Sequence, residues 1–229
     1  KVINLFTWIL VLVFSGLGST QAQNPTVLNE SFIDGYHLPH AHDLVVDDQG
    51  CVFVIGSAYE DGNHSDVLIT KLDPDGTQLW DIYINGGSRD YATGLALDSQ
   101  GDLWVTGWTD SSEFPLVAPM DATLTGFRDI FLMKIASSDG ATLYSTFIGG
   151  DYSDSATGIA INSEDEIFLT GMTGSTDFPT TENAYQPGPS FPLYFFDDAF
   201  VMRLAPSGAE ILYSTYFGGT MDDSGDRIA

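Results

Sequence analysis

The chain has 229 residues, 43% of them hydrophobic and 13% aromatic, which is ample for a packed core and argues against disorder. Only 7 Lys and Arg stand against 32 Asp and Glu, and the net charge of −25 repels phosphate backbones and anionic lipid, so nucleic acid is not an expected partner. The single cysteine, Cys51, has no intrachain partner, so disulfides do not staple the fold.

Residues 1–22 carry Lys1, an apolar run from Trp8 to Phe14, and small or polar residues ending at Ala22. This reads as a secretory signal peptide, its apolar core being short for a membrane span, and no transmembrane segment is expected after its cleavage. A secreted chain without disulfides points to a bacterial envelope or extracellular protein. Residues 27–35 (VLNESFIDG) align with 78–86 (QLWDIYING), so 23–40 are read as a strand that would close a final blade of a repeating structure.

Three copies of one module follow. Residues 41–58, 92–109 and 156–173 each open on Ala and reach a Gly 15 positions on, from 41 to 56, 92 to 107 and 156 to 171. Each copy predicts a hairpin; in the second, strands 92–98 and 102–108 flank the turn Ser99-Gln100-Gly101. Ala92, Gly94 and Ala96 alternate with larger residues, as do Ala156, Gly158 and Ala160, so one face of that strand is crowded.

A second hairpin is as regular. From a leading Asp to the second Gly of a closing pair the distance is 21 residues each time, from 66 to 87, 129 to 150 and 198 to 219. The variation falls between the hairpins, where residues 56 to 66, 107 to 129 and 171 to 198 span 10, 22 and 27 positions. Four short strands per unit, no helical periodicity and fixed strands with variable loops predict an all-β chain of propeller blades. The small-residue strand is innermost. The division is a leader at 1–22, the strand segment 23–40, blades at 41–87, 88–150 and 151–219, and the start of a fourth at 220–229: an open arc.

Thr106-Gly107-Trp108-Thr109 with Phe114-Pro115, Thr170-Gly171-Met172-Thr173 with Phe178-Pro179, and the DAFV and YSTYFGG runs at 198–201 and 213–219 carry a resemblance. They resemble the seven-bladed β-propeller (SBBP) repeat of secreted bacterial proteins. The first copy departs from that pattern, lacking the Phe-Pro pair. The resemblance implies a propeller at the cell surface, with no catalytic residues to carry over.

Loops from the second to the third strand, and from one blade to the next, share one face of a propeller. There the sequence collects Asp66, Asp90, Asp129, Asp154, Asp198 and Asp223. Carboxylates beside loop carbonyls suit calcium, yet no loop spells a complete calcium motif, and recurring Asp also caps strands and turns. Lys71, Lys134 and Arg203 recur five residues after the leading Asp and read as structural ion-pair partners. His37, His40 and His42 offer a transition-metal cluster, although His40 and His42 occupy places held by Tyr91 and Thr93 in the next copy. Loop aromatics Phe114, Phe127, Tyr185, Phe191 and Tyr194 are candidates for ligand contact. No nucleophile elbow, phosphate loop or catalytic carboxylate pair is spelled out. The reading is a non-enzymatic binding or structural module for extracellular glycan or protein; the alternative is a propeller-scaffold enzyme such as a glycan hydrolase or lyase.

Overall fold

The computed structural model describes residues 37–59, 64–190 and 196–229. Among the described residues twelve strands form three antiparallel sheets of four. The first contains β1 (His37–Val46), β2 (Val52–Tyr59), β3 (Asp66–Leu72) and β4 (Gln78–Ile84). The second contains β5 (Asp90–Leu97), β6 (Leu103–Thr109), β7 (Asp129–Ile135) and β8 (Thr142–Ile148). The third contains β9 (Asp154–Ile161), β10 (Ile167–Thr173), β11 (Asp198–Leu204) and β12 (Ile211–Phe217). Each sheet is a meander, with neighbours in sequence paired in space. No helix among the described residues is long and apolar enough to cross a membrane.

The sheets stack face to face, and strand alternation feeds two cores at once. Phe131, Met133 and Ile135 of β7 join Phe53, Ile55, Val67 and Ile69 of the first sheet. Ile130 and Leu132, on the opposite face of the same strand, join Leu169, Phe200, Met202 and Tyr216 of the third. A middle sheet buried on both faces explains why six of the seven residues of β7 are inaccessible. The first strands are innermost: β5 packs between β1 and β9. There is little room at that line, since a Cβ on Gly94 of β5 would stand 3.2 Å from the Ile159 side chain of β9.

Polar turns close the hairpins by side-chain capping. Asp98 Oδ1 accepts from the amides of Gln100 and Asp102, Asp47 repeats this with Gln49 and Cys51, and Asn162 with Glu164 and Glu166. Each innermost strand also carries a bulge at one place. The register slips between Ala41 and Asp43, between Ala92 and Gly94, and between Ala156 and Gly158, leaving His42, Thr93 and Thr157 as the extra residues. Opposite each bulge lies Gly56, Gly107 or Gly171. A side chain on Gly107 would collide with the Tyr91 carbonyl, which accounts for the constant spacing from Ala to Gly.

The bulged residues join the blades. Thr93 Oγ1 donates to Ala156 O at 2.8 Å, Thr157 Oγ1 donates to Gly225 O, and His42 Nδ1 bonds Ala92 O at 2.7 Å. Residues 220–229 therefore lie against the third sheet in the position of a following innermost strand, with Gly225 N donating to Gly171 O at 2.9 Å.

Candidate functional site

The recurring aspartates lie where one blade meets the next. The amide of Asp90 donates to Ser65 O, that of Asp154 to Arg128 O, and that of Asp223 to Asp197 O, at 2.7, 2.9 and 2.7 Å. Their carboxylates accept from Gly86 N, Gly150 N and Gly219 N at 2.8, 2.8 and 2.5 Å. Thus the Gly-Gly that ends one blade is tied to the Asp that starts the next. The leading Asp of each third strand stands beside it, giving three pairs: Asp66 with Asp90, Asp129 with Asp154, and Asp198 with Asp223.

Burial dominates the chemistry of these pairs. It pushes the carboxyl of Asp90 up to about 6, Asp154 to about 6 and Asp129 to about 7, with Asp154 raising Asp129 further by like charge. Hydrogen bonds from Thr109 to Asp90, from Ser175 to Asp154 and from Thr125 to Asp129 oppose the rise without cancelling it. Burial also raises Asp198, and the charge of Asp223 adds to that. The six aspartates offered as calcium ligands are distributed in pairs over three junctions between blades. Among the described residues no group of three or more His, Cys, Asp or Glu converges to hold a metal ion.

Of the histidines offered as metal ligands, His37 and His40 lie on β1, whose register slips between them and again between Ala41 and Asp43. Both ring nitrogens of His42 are engaged: Nδ1 faces a carbonyl oxygen, which can only accept, so it carries the proton, and Nε2 then accepts from Ser57 Oγ at 3.2 Å. Burial lowers the pKa of His42, keeping the ring neutral. His42 replaces the blade-joining threonine of the other two copies.

Phe114 corrects another expectation. It is 3% exposed and stacks on Phe131 at 4.9 Å, with Phe147 at 6.0 Å, so it is a core plug and not a ligand contact. Phe178 plugs the third blade in the same way, against Phe200 and Tyr216. By contrast Phe127 is 68% exposed and Tyr185 78% exposed. Phe191 and Tyr194 lie outside the described residues. Of the recurring cations, Lys134 pairs with Asp98 at 2.7 Å and Arg203 with Glu166 at 3.6 Å. Lys71 bonds the carbonyl and hydroxyl of Ser137 in the next blade, each at 2.9 Å.

One cluster was not foreseen. His42, Tyr91 and Trp108 stack in series, with ring centroids 4.2 and 5.7 Å apart. The guanidinium groups of Arg128 and Arg89 stand 5.1 and 5.9 Å from the Trp108 ring. Residues 108 and 128 straddle a long loop, and only the pairing of Trp108 with Ile130 brings them together.

Repeated four-stranded meanders, stacked face to face with their first strands innermost, define a β-propeller, here an open arc of three blades. Residues 80–115 match the SBBP family, described as a beta-propeller repeat, and the chain carries that repeat. The match runs from β4 through the first hairpin of the second blade to the plug Phe114. No curated protein matches the chain. Among solved structures, Pyrococcus horikoshii acylaminoacyl peptidase aligns at 8% identity and a TM-score of 0.43, over 79% of this chain and 25% of that one. Mutants of Synechocystis apocarotenoid oxygenase align at 11% and 10% identity with TM-scores of 0.40 and 0.41. Those alignments cover 84% and 86% of this chain and 43% of the oxygenase. The chain thus spans less than half the length of either protein, and neither likeness bears on its chemistry.

Proposed function

We propose that the protein is an exported, non-enzymatic binding module that engages extracellular glycan or protein through the loop face of its blades. The leader-like residues 1–22 support export to the cell surface or beyond. The observation that carries the binding reading is the division of labour on the loop face. The carboxylates of Asp90, Asp154 and Asp223 there hold blade to blade, whereas the aromatic side chains Phe127 and Tyr185 stand out in solvent. Exposed aromatic rings offer large, rigid contact area at low entropic cost, suited to sugar faces or apolar protein side chains.

The test is affinity electrophoresis and surface capture with the chain against a panel of extracellular polysaccharides and cell-surface proteins, with reducing-end release followed in parallel. Retention without release of reducing ends, weakened by Phe127→Ala or Tyr185→Ala, is the expected result. Turnover of any polysaccharide would overturn the non-enzymatic assignment.

A further inference from the structure

The loop face of the second blade contains a feature that blade packing does not require. Arg128 lies in a chain of net charge −25, yet among the described residues it forms no ion pair within 4.0 Å, and its buried Nε has no hydrogen-bond partner there. The guanidinium stacks on Trp108, and its charge reaches the Asp197 carboxylate, whose pKa it lowers against the rise from burial. Arginine surrounded by so many carboxylates normally takes one.

Its neighbour Phe127 is held out into solvent by a fixed backbone. Gly126 has a φ of +65°, Phe127 N donates to Tyr152 O at 2.8 Å, and the Phe127 and Tyr152 rings meet edge to face at 5.1 Å. The corresponding pair in the third blade is Phe196-Asp197, and in the first it is His64-Ser65. Only the second blade sets an arginine beside the aromatic residue, and that arginine rests on the indole carried by β6.

We propose that Phe127, Tyr152, Trp108 and Arg128 form a binding site for a sugar that carries a single carboxylate, a uronate residue within an otherwise neutral oligosaccharide. This rests on the binding-module reading and specifies its ligand. The exposed Phe127 ring meets the apolar face of the pyranose with Tyr152 set edge-on against it, and the planar guanidinium, held on Trp108, presents paired donors matching a carboxylate. A dense polyanion is disfavoured by the protein's charge. An isolated carboxylate is not, because exposed charges farther than about 8 Å are screened at physiological salt whereas the guanidinium acts at contact.

The experiment is calorimetric titration of the 229-residue chain with two probes: a xylo-oligosaccharide bearing one glucuronate, and the same oligosaccharide after carboxyl reduction. The acidic probe binds at least about tenfold more tightly than the reduced one, as a charge-assisted pair predicts. Arg128→Gln abolishes that difference, Arg128→Lys retains part of it, and Phe127→Ala weakens both probes alike. Because Phe127 is exposed, its variant keeps the test valid even if Arg128→Gln perturbs the stack on Trp108. Equal affinity for the two probes overturns the uronate assignment while leaving a glycan-binding module standing. Absence of binding to both overturns the site, and the broader panel of polysaccharides and proteins then judges the binding-module reading separately.

Discussion

Thr93 and Ala156 are joined across the gap between the second and third blades by a 2.8 Å hydrogen bond from hydroxyl to carbonyl. Thr93 reaches that carbonyl because it is the extra residue of a bulge, turned out of the alternation of β5. Thr157 repeats the geometry towards Gly225, and His42 towards Ala92. Three features legible separately in the sequence, the opening Ala, the residue after it and the Gly 15 positions on, are thus one device. The Gly lets the bulge form, the bulged side chain crosses the gap, and the next opening residue accepts.

Removing that hydroxyl should loosen the junction. Thr93→Val keeps the shape of the side chain and strands the Ala156 carbonyl, at a cost of about 1 to 3 kcal/mol. The melting temperature is expected to fall by about 2–4 °C per kcal/mol for a chain of this size. His42→Thr restores the side chain used in the other two copies and should be nearly neutral. Calorimetric melting of both variants beside the parent checks this, and equal losses in the two would show that the bulge position does not act through its hydrogen bond.

The buried aspartates make stability depend on pH. Asp129, Asp90 and Asp154 have folded-state pKa values of about 7, 6 and 6, above the unfolded value of about 3.9. The folded chain therefore holds protons that the unfolded chain releases. Stability is greatest near pH 4 on this account and declines as pH rises towards 7, where the penalty is complete. For Asp129 the penalty is on the order of 4 kcal/mol. Asp129→Asn should raise the urea midpoint at pH 8 and leave it unchanged at pH 4; a stabilisation of equal size at both would point to a cause other than ionisation.

How far the sequence leads can be judged residue by residue. The second hairpin was readable in the sequence: the leading Asp129 opens β7, and the Gly149-Gly150 pair closes directly after β8. The bulge was hidden, since a single extra residue does not disturb hydrophobic alternation enough to be seen. Phe114 was misplaced because a Phe beside Pro in a variable loop looks solvent-facing. Its recurrence as Phe178 was the available signal that it fills a core. The Trp108–Arg128 contact was out of reach because loop length does not say which residues a strand pairing will juxtapose.

Phe114 and Phe127 provide an internal comparison between a plug and an exposed ring. Phe114→Ala empties a site enclosed by Phe131 and Phe147 and should cost about 3–5 kcal/mol. Phe127→Ala removes a ring that is 68% exposed and should change stability by no more than about 0.5 kcal/mol. Chemical denaturation of the two variants distinguishes them. Similar losses would mean that Phe127 contributes to packing, which would also weaken its assignment to a ligand.

The two kinds of ion pair should respond differently to salt. Lys134 and Asp98 are largely shielded, with side chains 19% and 2% exposed, and Asp98 also accepts from the Trp104 indole at 3.3 Å. Lys134→Met leaves that buried carboxylate without its cation, at a cost of about 1–3 kcal/mol after allowance for the lysine's partial exposure. Arg89 pairs with Asp110 at 2.6 Å, but its side chain is 62% exposed, so Arg89→Met should cost no more than about 1 kcal/mol. Raising sodium chloride towards 1 M shortens the screening length to about 3 Å. Under those conditions the Arg89 effect should vanish and most of the Lys134 effect should persist, because water and ions cannot enter between Lys134 and Asp98 as they can around Arg89. Denaturant midpoints of the two variants at low and high salt measure this, and an equal salt response would show that the Lys134 pair is as solvated as the surface one.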